Sequence, residues 1–281
     1  SIYEGNETGV VAISSVSGGS ATEDGAQSVT ITITENETAP VVNLSVSSSS
    51  ITENSGSSIT VTATMNFATI IDTNITISTS GTALEGTDYG NVADITISAG
   101  DTTGTATFTP TDDAVYEGNE TATITMASIT GADAGSTTSQ TITITENEST
   151  PVVTLATSAS SILENAGSSL TLTATLSVAT TEDVTVGIST SGTGVEGTDY
   201  GTISDITISA GATTGTTSFT PTDDTTYEGN ETGIVAIDTV SGGSANESGT
   251  PQEVTITITE NENAPTVTLS TSASSILENA G

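Results

Sequence analysis

The chain contains no lysine, arginine or histidine among its 281 residues, and no cysteine or tryptophan. Its 35 acidic side chains therefore give a formal charge of −35 with no internal counter-charge. A polyanion without basic residues cannot neutralise phosphates, which argues against binding to nucleic acid or attachment to anionic lipid. Without cysteine there are no disulfides, no thiolate nucleophile and no zinc or iron–sulfur site built on sulfur. The usual catalytic bases and electrophiles are missing too, leaving carboxylate pairs of the glycosidase type as the one catalytic option. No lysine means no Lys–Asn isopeptide crosslink. No apolar run approaches the roughly 20 residues that span a bilayer, so no direct membrane insertion is expected in this window.

What the sequence does contain is valine, isoleucine and threonine in abundance, the β-branched residues that a disordered acidic tail lacks. It also repeats itself. The run Tyr3-Glu4-Gly5-Asn6-Glu7-Thr8 returns at Tyr116–Thr121 and at Tyr227–Thr232. A second run, Ile-Thr-Ile-Thr-Glu-Asn-Glu, ends at Glu37, Glu148 and Glu262, and a proline follows each copy, at Pro40, Pro151 and Pro265. A self-similarity of this length marks a domain-sized unit. The expected division is two complete repeats, 39–149 and 150–263, with 1–38 as the C-terminal part of one repeat and 264–281 as the N-terminal part of the next. On this reading the natural array continues in both directions.

Within a repeat, Ile59, Val61, Ala63 and Met65 alternate with Thr60, Thr62 and Thr64, the period of two expected from a strand with one buried face. Leu170, Leu172, Ala174 and Leu176 repeat the pattern, and Val29, Ile31 and Ile33 extend it to the leading fragment. No stretch has helical periodicity. Seven strands are expected in the first complete repeat, near 41–47, 57–65, 73–79, 92–98, 103–109, 119–127 and 139–145. Seven short strands in about 110 residues predict an all-β fold, a tandem of immunoglobulin-like antiparallel sandwiches in a linear array.

If the strands alternate in direction, the loops after the first, third and fifth strands share one pole with the exit of the seventh. Glu53, Glu85, Asp88, Asp112, Asp113, Glu117, Glu120, Glu146 and Glu148 then fall at that exit pole, against Asp72, Asp101 and Asp133 at the other. Converging carboxylates repel one another unless a cation sits among them. Oxygen-only donors on loops suit the six to eight ligands of Ca²⁺ better than the strict octahedron of Mg²⁺.

The pairs Glu53-Asn54 and Glu164-Asn165, the runs Gly86-Thr87-Asp88-Tyr89 and Gly197-Thr198-Asp199-Tyr200, the doublets Asp112-Asp113 and Asp223-Asp224, and the Tyr-Glu-Gly-Asn-Glu runs resemble the Calx-beta family. The resemblance covers essentially the whole chain. It implies β-sandwich domains with clustered Ca²⁺ at one pole, and ligands at Glu53, Asp88, Asp113, Glu117 and Glu120. In the second repeat it implies Glu164, Asp199, Asp224, Glu228 and Glu231. Where a family member of the exchanger type ends in a run of aspartates, this chain has Glu146-Asn147-Glu148 and Glu260-Asn261-Glu262. Asp112, Asp223 and these four linker glutamates complete the candidate metal set, together with Glu4, Glu7, Glu35, Glu37 and Glu278 from the partial repeats.

The functional expectation is a structural, non-enzymatic segment of an extracellular or cell-surface fibre, stalk or adhesin, bacterial in origin, stiffened by Ca²⁺ bound at interdomain joints. Its expected partners are neighbouring repeats of the same array and other copies in a filament or bundle. A regulatory Ca²⁺ sensor that changes its interdomain angle is the alternative.

Overall fold

A computed structural model describes residues 3–272, 274, 275 and 278. Among them there is no helix, and every regular element is a strand. The chain divides into two compact units, residues 1–113 with 117–147, and residues 114–116 with 148–281.

The first unit opens with a hairpin, β1 (Glu7–Ala12) against β2 (Ser28–Ile33). A sandwich follows. Its first strands are β3 (Val41–Val46), β4 (Ser50–Thr52), β5 (Ile59–Met65) and β6 (Thr73–Gly81). Next come β7 (Ile95–Ile97) and β8 (Thr103–Phe108). Residues 114–116 belong to the second unit and include the short β9 (Val115–Tyr116). β10 (Glu120–Thr130), β11 (Asp133–Ala134) and β12 (Ser139–Thr145) complete the first unit. One sheet has the order β4-β12-β10-β6-β7 and the facing sheet β11-β3-β5-β8.

The second unit repeats this plan. Its strands are β13 (Val152–Thr157), β14 (Ser161–Leu163), β15 (Leu170–Leu176), β16 (Ala179–Thr180) and β17 (Val184–Gly192). β18 (Ile206–Ile208), β19 (Thr214–Phe219), β20 (Glu231–Ser241), β21 (Asn246–Glu247) and β22 (Glu253–Thr259) follow. The sheet orders are β14-β22-β20-β17-β18 and β19-β15-β13-β21, and β16 pairs in parallel with β9.

Alternation sets what is buried. Along β5, Ile59, Val61, Ala63 and Met65 are at most 3% exposed while the threonines between them face outward or lie at the edge of the core. Tyr89 and Tyr200, the ends of the Gly-Thr-Asp-Tyr runs, are fully buried. They stack on Phe108 and Phe219 with ring centroids 4.6 and 4.7 Å apart, a spacing at which aromatic pairs attract beyond simple burial.

The seven expected strands of the first repeat are all present, with ends shifted by a few residues. Three short strands, β4, β9 and β11, were not foreseen, because two or three residues carry no periodicity to read. The leading fragment departs from expectation more sharply. Val29, Ile31 and Ile33 were read as a buried face, yet they are 64, 52 and 59% exposed. The alternation is real, but among the described residues no second sheet packs against the hairpin.

Candidate metal centres

Strand register brings the acids together. β4 runs parallel to β12 with Thr52 opposite Thr145, so Glu53 and Glu146 leave their strands side by side. Glu120 opens β10 opposite Ile144, and Gly81 ends β6 opposite Ala122. The loop that carries Asp88 therefore reaches the same end of the sandwich. In the second unit Leu163 lies opposite Thr259, Glu231 opposite Ile258 and Gly192 opposite Gly233.

The acids gather in three-carboxylate groups. In the first unit Asp88, Glu117 and Glu120 each offer an oxygen within 4.8 Å of the others, with Glu53 and Glu146 at the same strand ends. In the second unit Glu164, Glu260 and Glu262 form one such group, and Asp199, Glu228 and Glu231 another. Glu53 and Glu164 are only 6 and 8% exposed. Burying carboxylates beside one another without a counter-charge is costly, and the protonation equilibria carry that cost.

Burial and then the charge of Asp88, aided by Glu117 and Glu53, push the Glu120 carboxyl up to about 7. Glu231 is raised to about 7 by burial and by Asp199, Glu228 and Glu164. Since Glu53 and Glu164 come from the start of their repeats, the acids of each pole act as one electrostatic patch. Glu262 is also raised to about 7, first by its hydrogen bond to Glu260 and then by desolvation. Desolvation raises Glu164 and Glu228 as well, reinforced by Glu260 and Asp224.

A recurrent clasp holds the pole in shape. Glu146 Oε2 accepts the backbone N–H groups of Glu117 and Gly118 at 2.6 and 2.8 Å, and its own N–H donates to Asn119 Oδ1 at 3.0 Å. Glu260 makes the same bonds with Glu228, Gly229 and Asn230. The paired donors at Glu146 require the left-handed backbone of Gly118, at φ 78°, which glycine adopts without strain. The N–H groups of Glu262 and Glu228 stabilise the ionised Glu260 carboxylate and hold it down at about 2.

Other acids expected at the pole have different places. Glu85 accepts hydrogen bonds from Thr79 Oγ1 and the Val92 N–H at 2.7 and 2.9 Å, so it fastens its own loop. Asp112, Asp113, Asp223 and Asp224 are exposed and outside the three-carboxylate groups. Asp224 still borders the patch, its N–H reaching Glu164 Oε1 at 3.4 Å. Glu4, Glu7, Glu35, Glu37 and Glu278 are likewise in no such group among the described residues. The asparagines of the Tyr-Glu-Gly-Asn-Glu runs were read as part of the motif but given no task; their place one residue before a candidate glutamate was the available signal for the clasp.

Residues 35–148 and 146–262 each match the model of the Calx-beta domain. The chain belongs to the Calx-beta family. No curated protein matches it. Among solved structures it is similar to CBD12 from CALX1.2, at 15% identity and a TM-score of 0.36, covering 78% of this chain and 100% of that one. It is also similar to the Yersinia pseudotuberculosis adhesin InvE, at 16% identity and a TM-score of 0.34, covering 78% of this chain and 60% of that one. Invasin, a bacterial integrin-binding protein, matches at 17% identity and a TM-score of 0.28, over 86% of this chain and 44% of that one. In these Calx-beta repeats the donor set is oxygen-only, negatively charged and partly desolvated, which fits a hard divalent cation better than one that prefers nitrogen or sulfur ligands. Glu53, Glu146, Asp88, Glu117 and Glu120 are the residues that would hold it in the first unit, and Glu164, Glu260, Glu262, Asp199, Glu228 and Glu231 in the second.

Proposed function

We propose that this pair of Calx-beta repeats is a Ca²⁺-binding segment of an extracellular or cell-surface fibre, stalk or adhesin, with a structural and not an enzymatic role. The observation that carries the reading is the gathering of carboxylates at one pole of each repeat with no cationic side chain to balance them. Ca²⁺ supplies the missing charge there. Glu146 and Glu148 lie five and three residues before Pro151, the proline that opens the next repeat, and Glu260 and Glu262 stand at the same spacing before Pro265. Ions on these glutamates would restrain the passage of the chain from one repeat to the next. The same carboxylates recur in both repeats, which fits a repeated structural ion better than one catalytic cleft.

An ion at 100 times its dissociation constant stabilises the bound state by about 2.7 kcal/mol. Chelation with EDTA is expected to lower the melting temperature, expand the particle in X-ray scattering and expose the segment after Glu146 to proteases. Unchanged melting, compactness and proteolysis after chelation would refute the proposal. A screen against glycans, in which no hydrolysis is expected, tests the non-enzymatic part.

A further inference from the structure

In the first unit the two sheets of the sandwich end in four edge strands, and three of them are blunted. β4 and β7 are three residues long and β11 only two. Where β6 runs on past β7, an acid closes the gap: Asp94 Oδ1 accepts a hydrogen bond from the Ile77 N–H at 2.8 Å. Short strands and inward-pointing charges are the usual protection of a sheet edge against an added strand. The second unit repeats this, with β14, β18 and β21 equally short and Asp205 Oδ1 on the Ile188 N–H at 3.0 Å.

The fourth edge has no such protection. β8 is six residues long, pairs with β5 without a bulge, and carries no proline and no charge. β19 is the same against β15. The Met65 N–H donates to the Thr102 carbonyl, so Gly104, Ala106 and Phe108 bond to β5 while Thr103, Thr105 and Thr107 turn their N–H and C=O groups away from the sheet. In the second unit the Leu176 N–H donates to Thr213, and Thr214, Thr216 and Ser218 face out. Among the described residues no strand pairs with the outer side of β8 or β19. Bridges of Tyr89 to Pro110 and of Tyr200 to Pro221 close the edge just beyond.

Charge says what fits there. The chain carries 35 acids, yet none lies on β3, β5 or β8, or on β13, β15 or β19. The outer face of this sheet is a grid of hydroxyls, with Ser45, Thr62 and Thr105 in one cross-strand row and Thr60 and Thr107 in the next. Two copies of a polyanion repel least where both are uncharged. About a twofold axis at Thr105, that residue lies opposite its own copy and Thr103 opposite Thr107. Every outward N–H then meets an outward C=O, and every exposed threonine stands beside another.

We infer that β8, and β19 likewise, is a pairing edge for the same strand of a second copy of this chain, antiparallel and isologous, so that two four-stranded sheets join into one. Each repeat supplies such an edge, so a chain has two places to be joined. The inference makes no use of the acidic poles and stands apart from the proposed Ca²⁺ sites.

Analytical ultracentrifugation of the full chain in Ca²⁺, over a series of protein and NaCl concentrations, tests it. The average mass is expected to rise above the monomer with protein concentration, and more so as salt screens the net charge. Thr105→Pro with Thr216→Pro removes one outward N–H from each edge and no bond within the fold, and is expected to weaken association at least about tenfold. Thr105→Glu with Thr216→Glu keeps the backbone donor and sets like charges opposite one another; it is expected to weaken association too, and decides the matter where proline disturbs folding. Ser45→Glu with Ala156→Glu adds the same charge to the same faces two strands from the edge, and is expected to associate as the wild type does. A wild type that stays monomeric at raised salt overturns the pairing and leaves the proposed function standing. Edge variants that fold and associate at wild-type strength overturn it as well. A control variant that loses as much as the edge variants shows an effect of charge alone and overturns the assignment to the edge.

Discussion

The hairpin β1–β2 and the pair β20–β22 share their sequence motif, their register and their glutamate clasp, yet one exposes its apolar side chains and the other buries them. Strand pairing and the clasp are therefore local properties. Register follows from the run of alternating residues and from the bonds that join the Tyr-Glu-Gly-Asn-Glu loop to the following Glu-Asn-Glu exit. Burial needs a second sheet, and so does any acid group that includes a residue such as Glu164 from the start of the repeat. The acidic pole is accordingly half local and half tertiary.

The largest test of this contrast places a charge at equivalent positions. Ile256→Asp puts an unpaired carboxylate into a core with no exposure and is expected to cost about 4 kcal/mol or more, whereas Ile31→Asp on the hairpin should stay within about 0.5 kcal/mol. Chemical denaturation of the two variants, read by circular dichroism, measures the gap. Equal losses would mean that the hairpin is packed in solution.

A smaller effect distinguishes the two parts by pH. Glu120, Glu231 and Glu262 are held near 7 in the folded state, above the ordinary 4.5. The folded chain therefore binds more protons than the unfolded one between those values, and stability falls as pH rises from about 4.5 through 7. Glu260 and Glu35, held at about 2, act in the opposite sense and remove stability below about 4.5. Metal-free protein should be most stable near pH 4.5 to 5, and Ca²⁺ should flatten its decline towards pH 8. Solvent screening keeps the effect below that of the core substitution. Melting curves across pH with and without EDTA check it; metal-free protein that gains stability between pH 5 and 8 would break the account.

The smallest expected effect should be the same in all three copies. Gly5, Gly118 and Gly229 hold φ of 76, 78 and 81° in the clasp, so alanine at Gly118 or Gly229 is expected to cost about 1 kcal/mol. At Gly5 the same change should loosen only the hairpin. Amide exchange at Glu4, Glu117 and Glu228, whose N–H groups the clasp engages, reads the result copy by copy. Slow exchange surviving at Glu117 in Gly118→Ala would show that the loop does not depend on that turn.

Much of the fold was legible because its signals are short-range. Period-two alternation in β5 and β15, glycine-marked turns and a domain-sized repeat located the long strands. The short strands β4 and β14 were not legible, and their parallel pairing with β12 and β22 is what carries Glu53 and Glu164 to the linker glutamates. The sequence reading assigned Glu85 and Asp88 to the same pole by loop. Their different tasks depend on a turn, in which Asp88 Oδ2 takes the Leu84 N–H at 2.6 Å and Glu85 bonds to Thr79 and Val92.

The sequence by itself determined a repeating, all-β polyanion whose carboxylates crowd one pole of each repeat, because alternation, turn residues and charge count are properties of neighbouring positions. Only the tertiary structure decided which carboxylates share a site, which merely fasten a loop and which apolar faces are covered. Those outcomes depend on side chains brought together from strands far apart in the chain, and on a register that no single strand contains.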